Sequence, residues 1–179
     1  MDASSSIKHD EWETEKSFVK KLANVVKISS NEGRAAVTIF ERYAKVMIKF
    51  SEHKSFHQFE GAVDKLQQTK GSTNIGNALE VALGKMFQTS NGMRKDSTKV
   101  VVLITEGRST VDKYNYRSLA KKFRKANVKM IVIGVGKVNK KKLGKLVTDE
   151  KDLYFTRDFE GLKMDSFFRQ VQNNLCATM

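Results

Sequence analysis

Five side chains, all ending in oxygen, stand out by type and spacing. Asp2, Ser4 and Ser6 form D-x-S-x-S, Thr73 lies in GSTNIGNAL, and Glu106 follows a run of apolar residues in ITEGRS. Two carboxylates and three hydroxyls, without thiolate or imidazole, suit a hard cation such as Mg²⁺ or Mn²⁺ in octahedral geometry better than zinc or copper. Each also has a plainer reading. Ser4, Ser5 and Ser6 can form a polar terminus, Thr73 can cap a helix beginning near Asn74, and Glu106 with Gly107 can form a strand-end turn.

These residues need a scaffold that gathers them. Residues 10–28 place Phe18, Leu22, Val25 and Val26 on one helical face, with charges opposite. GRAAVTIFE and AKVMIKF, separated by RY, predict a β-hairpin. HKSFHQFEGAVDKLQQ predicts a helix buried through Phe56, Phe59, Val63 and Leu66. After the polar loop TKGSTNIG come a helix, NALEVALGKMF, and a further loop, SNGMRKDST. KVVVLIT is then a continuous apolar run of the kind central parallel strands show. The polar loop EGRSTVD leads into a basic amphipathic helix with Leu119, Phe123 and Ala126 facing inward. VKMIVIGVG is a second buried strand, NKKKLGKLV a short helix, LYFT a strand and GLKMDSFFRQVQNNL a closing helix. Strands alternating with helices imply an α/β fold, doubly wound, with a mostly parallel sheet covered by helices on both faces. Ligands in such folds sit at the carboxyl ends of the strands, where all three oxygen-bearing motifs fall.

Composition sets the remaining bounds. A chain of 179 residues suits one domain over 1–179, with a sizeable core. No apolar run approaches the roughly 20 residues of a membrane span, and no signal-peptide core opens the chain. Thirty-three Lys and Arg against 20 Asp and Glu give +13, which favours anionic partners. Lys121, Lys122, Arg124 and Lys125, with Lys140, Lys141 and Lys142, are candidates for an anion or glycan surface, or else solvated helix faces. His53 and His57 lack a third ligand and read as exposed polar residues. Trp12 seats the first helix. Cys176, the single cysteine, has no internal partner.

D-x-S-x-S, then a lone Thr in G-x-T-x-x-G-x-A-L, then an acid in I-T-x-G-R-S, together resemble the von Willebrand factor A domain, and the similarity runs through the whole chain. Its extracellular-matrix branch, in the manner of collagen VI and matrilin, is the nearest in character. The resemblance implies a metal-ion-dependent adhesion site in which Ser4, Ser6 and Thr73 present hydroxyls, with Asp2 and Glu106 binding directly or through water. Mostly neutral inner ligands leave the cation electron-poor, with one position for a partner's carboxylate. It also implies a secreted, non-enzymatic module for adhesion or matrix assembly, binding an extracellular protein or acidic polysaccharide.

Two departures from the family pattern carry consequences. The family has Asp where this chain has Glu106, and the extra methylene carries the carboxylate about 1.5 Å further out. The family also sets an apolar central strand ahead of D-x-S-x-S, of which only Met1 stands here. Losing about four buried apolar side chains forfeits roughly 6–12 kcal/mol, comparable to a whole domain's stability of about 5–15 kcal/mol. The expectations are a natural start upstream of Met1, Cys176 as half of a lost disulfide, and, if Met1 is the start, poor folding or a gap of roughly 10 Å in the sheet.

Two other readings compete. An intracellular A-type domain could assemble complexes or use the charge on nucleic acid, but no RNA-binding motif or set of stacking aromatics is present. A phosphatase-like enzyme using Asp2 as nucleophile would want a second carboxylate where Ser4 stands.

Overall fold

The computed structural model describes residues 1–107, 111 and 113–179. Helix α1 (His9–Val25) buries Trp12, Phe18, Leu22 and Ala23. The Trp12 indole N–H donates to the Leu66 carbonyl at 3.4 Å and so ties α1 to the segment after α2. α1 stops short of the predicted 28 because Lys27 turns to a positive φ of 52°. Strands β1 (Val37–Phe40) and β2 (Ala44–Ile48) form the expected hairpin. α2 (Phe56–Asp64) buries Phe59 and Val63, with Leu66 just beyond its end.

α3 (Ile75–Val81) is capped by Asn74, whose side chain accepts from the Asn77 N–H, and runs on as a wider π turn over Ala82–Met86. The cap is therefore Asn74 and not Thr73. β3 (Lys99–Thr105) and β4 (Val128–Val135) pair in parallel, and β5 (Leu153–Thr156) pairs in parallel with β4. α4 (Tyr116–Lys125) lies between β3 and β4 in the chain, α5 (Lys140–Leu143) between β4 and β5, and α6 (Asp165–Cys176) closes it. One inward residue of α4 differs from expectation. The helix ends at Lys125, so Ala126 is exposed, and Ala120 and Tyr116 join Leu119 and Phe123 inside.

Successive side chains of a strand point to opposite faces, and the core divides accordingly. Ile104, Ile131, Ile133 and Val135 pack with α1, α2 and α6 on one face. Leu103, Val128, Met130 and Val132 pack with α3, α4 and α5 on the other. Both faces are covered, as a doubly wound α/β fold requires.

The sheet is parted in two. β1–β2 form one ladder and β3–β4–β5 another, so β1 and β3 are each an edge. Only the first three residues enter the space between. Phe40 donates its N–H to the Met1 carbonyl at 3.0 Å, and Ala3 donates to the Phe40 carbonyl at 2.7 Å, in parallel register. Beneath that stub lies a cavity of ≈ 800 Å³, walled by β1, β3 and apolar side chains from the helices on both faces. The expected gap in the sheet is this cavity.

Candidate metal centre

Asp2 stands at the carboxyl end of the stub and is fully buried. Its Oδ1 accepts the Ser4 N–H at 3.1 Å, and its Oδ2 accepts the Thr105 hydroxyl at 2.7 Å. Thr105 is the last residue of β3, and its Oγ1 accepts in turn from the Gly107 N–H at 3.0 Å. Gly107 sits at φ 67°, a left-handed turn that favours glycine and swings the chain away directly after Glu106. The ends of two elements more than a hundred residues apart are thus fastened through one carboxylate. Burial raises the Asp2 pKa, while bonds from Thr105 and Ser4 oppose that rise.

The two loop serines lie side by side, with Ser4 Oγ 3.2 Å from Ser6 Oγ. Ser4 is buried and Ser6 exposed, so the pair spans the boundary between interior and solvent. Ser5 points elsewhere. Its hydroxyl accepts from the Gly71 N–H at 2.7 Å, and its own N–H donates to the Gly71 carbonyl at 2.9 Å. The Lys70 N–H donates to the Ala3 carbonyl, and the Gln68 side chain donates to the carbonyls of Ser4 and Ile7, both at 2.8 Å. Five hydrogen bonds therefore stitch residues 3–7 to the segment that leads into buried Thr73. Gly71, at φ 138°, passes so close to the Glu41 carboxylate that a Cβ would collide with it.

Glu106 is half-buried, and its Oε2 is enclosed without a hydrogen-bond partner among the described residues. A second carboxylate behaves alike and was missed by sequence reasoning. Glu15, on α1, is fully buried; its Oε1 accepts the Asp2 N–H at 3.1 Å while Oε2 has no partner among the described residues. Burial, with the charges of Asp2 and Glu106 adding to it, raises its pKa to about 8, and the Met1 ammonium works against the rise. The signal was available: Glu15 falls three residues after Trp12 and three before Phe18, inside the apolar stripe of α1. Thr105 was passed over in the same way, as part of a strand.

The five predicted residues thus fall on three segments joined around Asp2. Carboxylates and hydroxyls without soft donors are the donor types that fit a small hard cation. Among the described residues no three His, Cys, Asp or Glu form a metal cluster. His53 precedes α2 and packs edge-on to Phe59, apart from the exposed His57.

The basic residues of α4 and α5 meet different neighbours. The Lys142 ammonium lies 4.8 Å from the Tyr116 ring centre, at the start of α4, whereas Lys122, Arg124 and Lys125 occupy its last turn. Lys140 sits over the Phe155 ring, and Lys122 pairs with Glu80 at 2.6 Å. Lys121 and Lys141 are exposed. Cys176 is a free, exposed thiol.

With an α/β fold of this topology, the chain belongs to the von Willebrand factor type A domain family, whose model matches residues 1–170. Among curated relatives it is 23% identical over 179 residues to the collagen alpha-1(XII) chain of Notophthalmus viridescens, covering 100% of this chain and 19% of that one. It is 25% identical to Matrilin-1 of Mus musculus, covering 99% of this chain and 37% of the relative. Integrin alpha-X of Mus musculus is 29% identical over 137 residues, 76% of this chain and 12% of the integrin. The chain thus spans well under half the length of each relative. Among solved structures, proximal thread matrix protein 1 from the mussel byssus, in a form with a zinc-occupied MIDAS motif, has a TM-score of 0.89 and 25% identity. The match covers 98% of this chain and 46% of that one. Proteins of the extracellular matrix and of adhesion therefore carry domains like this one.

Proposed function

We propose that the chain is a non-enzymatic adhesion or matrix-assembly module that holds a divalent cation, Mg²⁺ or Mn²⁺, through Ser4, Ser6, Thr73, Glu106 and Asp2. The observation that carries this reading is the fastening of the D-x-S-x-S loop to the end of β3 and to the segment before Thr73, with the enclosed Glu106 Oε2, just after β3, lacking a hydrogen-bond partner among the described residues. Both Asp2 oxygens already accept hydrogen bonds, which suits Asp2 to contact through water. Ser4 and Ser6 present neighbouring hydroxyls, one of them open to solvent. Thr73 is released from capping duty by Asn74. Bound there, the cation would supply a Lewis-acidic position for a carboxylate of an extracellular protein or acidic glycan. The zinc held by the mussel protein's motif supports a divalent occupant, and the collagen and matrilin relatives support an extracellular setting.

Calorimetric titration of Mn²⁺ and Mg²⁺ into the chain and its Thr73→Ala variant tests the site. A saturable heat with one cation per chain that weakens at least tenfold in the variant is expected. Identical curves would remove the metal from the account.

A further inference from the structure

We propose that the tip of the β1–β2 hairpin, Arg42 with Tyr43, is a second contact for the partner of the metal centre, and that this partner is an extended acidic peptide. One of its carboxylates meets the cation, another pairs with the Arg42 guanidinium, and an apolar side chain further along lies on the Tyr43 ring. The inference rests on the proposed function for the first carboxylate alone.

The tip stands at the rim of the site. Phe40, the last residue of β1, is bridged to Asp2, and Arg42 follows within about 7 Å of chain. Glu41 ties the tip to the neighbouring loop. Its carbonyl accepts the Asn74 N–H at 2.8 Å, directly after Thr73, and its carboxylate lies against Gly71, whose N–H bonds to Ser5. The Ala44 N–H donates to Asn77 Oδ1 at 2.7 Å and so fastens the hairpin to α3 itself. The tip, the Thr73 loop and the D-x-S-x-S loop are thus joined by hydrogen bonds.

The tip is ordered in advance and yet open. The Glu41 carboxylate accepts the N–H groups of both Arg42 and Tyr43, and the Glu41 N–H donates to the Tyr43 carbonyl at 3.2 Å. The Arg42 guanidinium lies 5.7 Å from the centre of the Tyr43 ring, a stacking that steadies its planar fork. Arg42 is exposed and, among the described residues, enters no ion pair. Tyr43, at 67%, is the most exposed large apolar side chain described. Tyr114, 39% exposed, lies against Gly76 in the first turn of α3, so two exposed rings border the helix that follows Thr73. Tyr and Arg are the side chains that anchor interfaces, and a guanidinium grips a carboxylate through two parallel bonds. In an extended peptide, acids two residues apart face the same way about 7 Å apart, a span of the same order as that from Phe40 to Arg42. One guanidinium beside an apolar ring suits a peptide bearing acids and an apolar side chain better than the unbroken charge of a sulfated glycan.

The test titrates the peptide Gly-Glu-Gly-Glu-Gly-Leu-Gly, acetylated and amidated, into the chain by calorimetry with Mg²⁺ present. Arg42→Gln and Tyr43→Ala should each weaken binding by about tenfold. Lys45→Gln, which removes another exposed charge from the same hairpin, should change it little. Replacing the second Glu of the peptide by Gln should erase the difference between the parent and Arg42→Gln, a coupling that loss of general charge would not produce. Full affinity in Arg42→Gln, an equal loss in Lys45→Gln, or no peptide binding by the parent would each overturn the tip as a contact. So would a heparin hexasaccharide whose binding depends on Arg42 more steeply than that of the peptide. Mn²⁺ titration of the same samples reports separately on the metal: no heat there, beside peptide binding that still needs Arg42, would remove the cation and leave the tip contact standing.

Discussion

Glu15 is an acid placed where a helix needs an apolar side chain, and its protonation is written into the fold. A carboxyl whose pKa rises from 4.5 to about 8 keeps its proton in the folded chain after the unfolded chain has lost it. Folding is therefore least penalised below about pH 4.5, loses stability as pH climbs towards 8, and is level beyond. Asp2, also raised by burial, adds to the same trend. The Met1 amine, held below its ordinary 8.0 by burial, opposes it near its own range. In chelator-treated samples, urea melts across this window should show Glu15→Gln flattening the slope and standing more stable than the parent at pH 8. At Glu106, a different substitution separates charge from shape. Glu106→Gln keeps the length but removes the charge, and Mn²⁺ affinity should fall about tenfold by calorimetry. Of these residues, Asp2, Ser4, Ser6, Thr73 and Glu106 could be nominated from sequence because their spacing resembles one family arrangement. Glu15 was passed over because a lone acid within an amphipathic helix reads as solvated, although its place between Trp12 and Phe18 set it inside the apolar stripe.

Among the elements, α3 delivers the Thr73 loop, and its start depends on one side chain. Asn74→Ala removes the acceptor for the Asn77 N–H and should cost about 1 kcal/mol in chemical denaturation, with weaker cation binding as the adjoining loop loosens. The order of helices and strands could be read from periodicity alone, because VKMIVIGV and KVVVLIT leave no room for another assignment. Element ends were less legible. α1 closes at Val25 because Lys27 reverses the backbone, and Ala126 turns outward because α4 has already finished. Both depend on backbone geometry that an apolar residue count does not register. That Asn74, one residue along from Thr73, is the cap depended likewise on which side chain reaches back to Asn77.

At the scale of the molecule, the net charge of +13 includes the basic residues of both α4 and α5. Lys142 lies against Tyr116, and the last turn of α4 begins about 9 Å further along its axis and reaches about 14 Å. That separation exceeds the ~8 Å screening length of physiological salt. On a heparin column, removing Lys121 and Lys125 should shift elution only slightly, and by about as much as removing Lys140 and Lys141. A collapse of retention on losing either pair would mean that the two clusters act as one surface. The overall architecture was legible, and so was the interruption of its sheet, since a D-x-S-x-S loop without its strand leaves β1 and β3 facing each other. How the helices of both layers line the resulting cavity was not, because it depends on three-dimensional packing across the break.

The Asp2 carboxylate also bears on how such a molecule would respond to tension. Its bond to the Thr105 hydroxyl ties the D-x-S-x-S loop to the carboxyl end of β3, so a pull that draws that loop away from β3 loads this contact early. Stretched in a single-molecule instrument with handles on the hairpin and on β5, a Thr105→Val variant should yield at lower force than the parent.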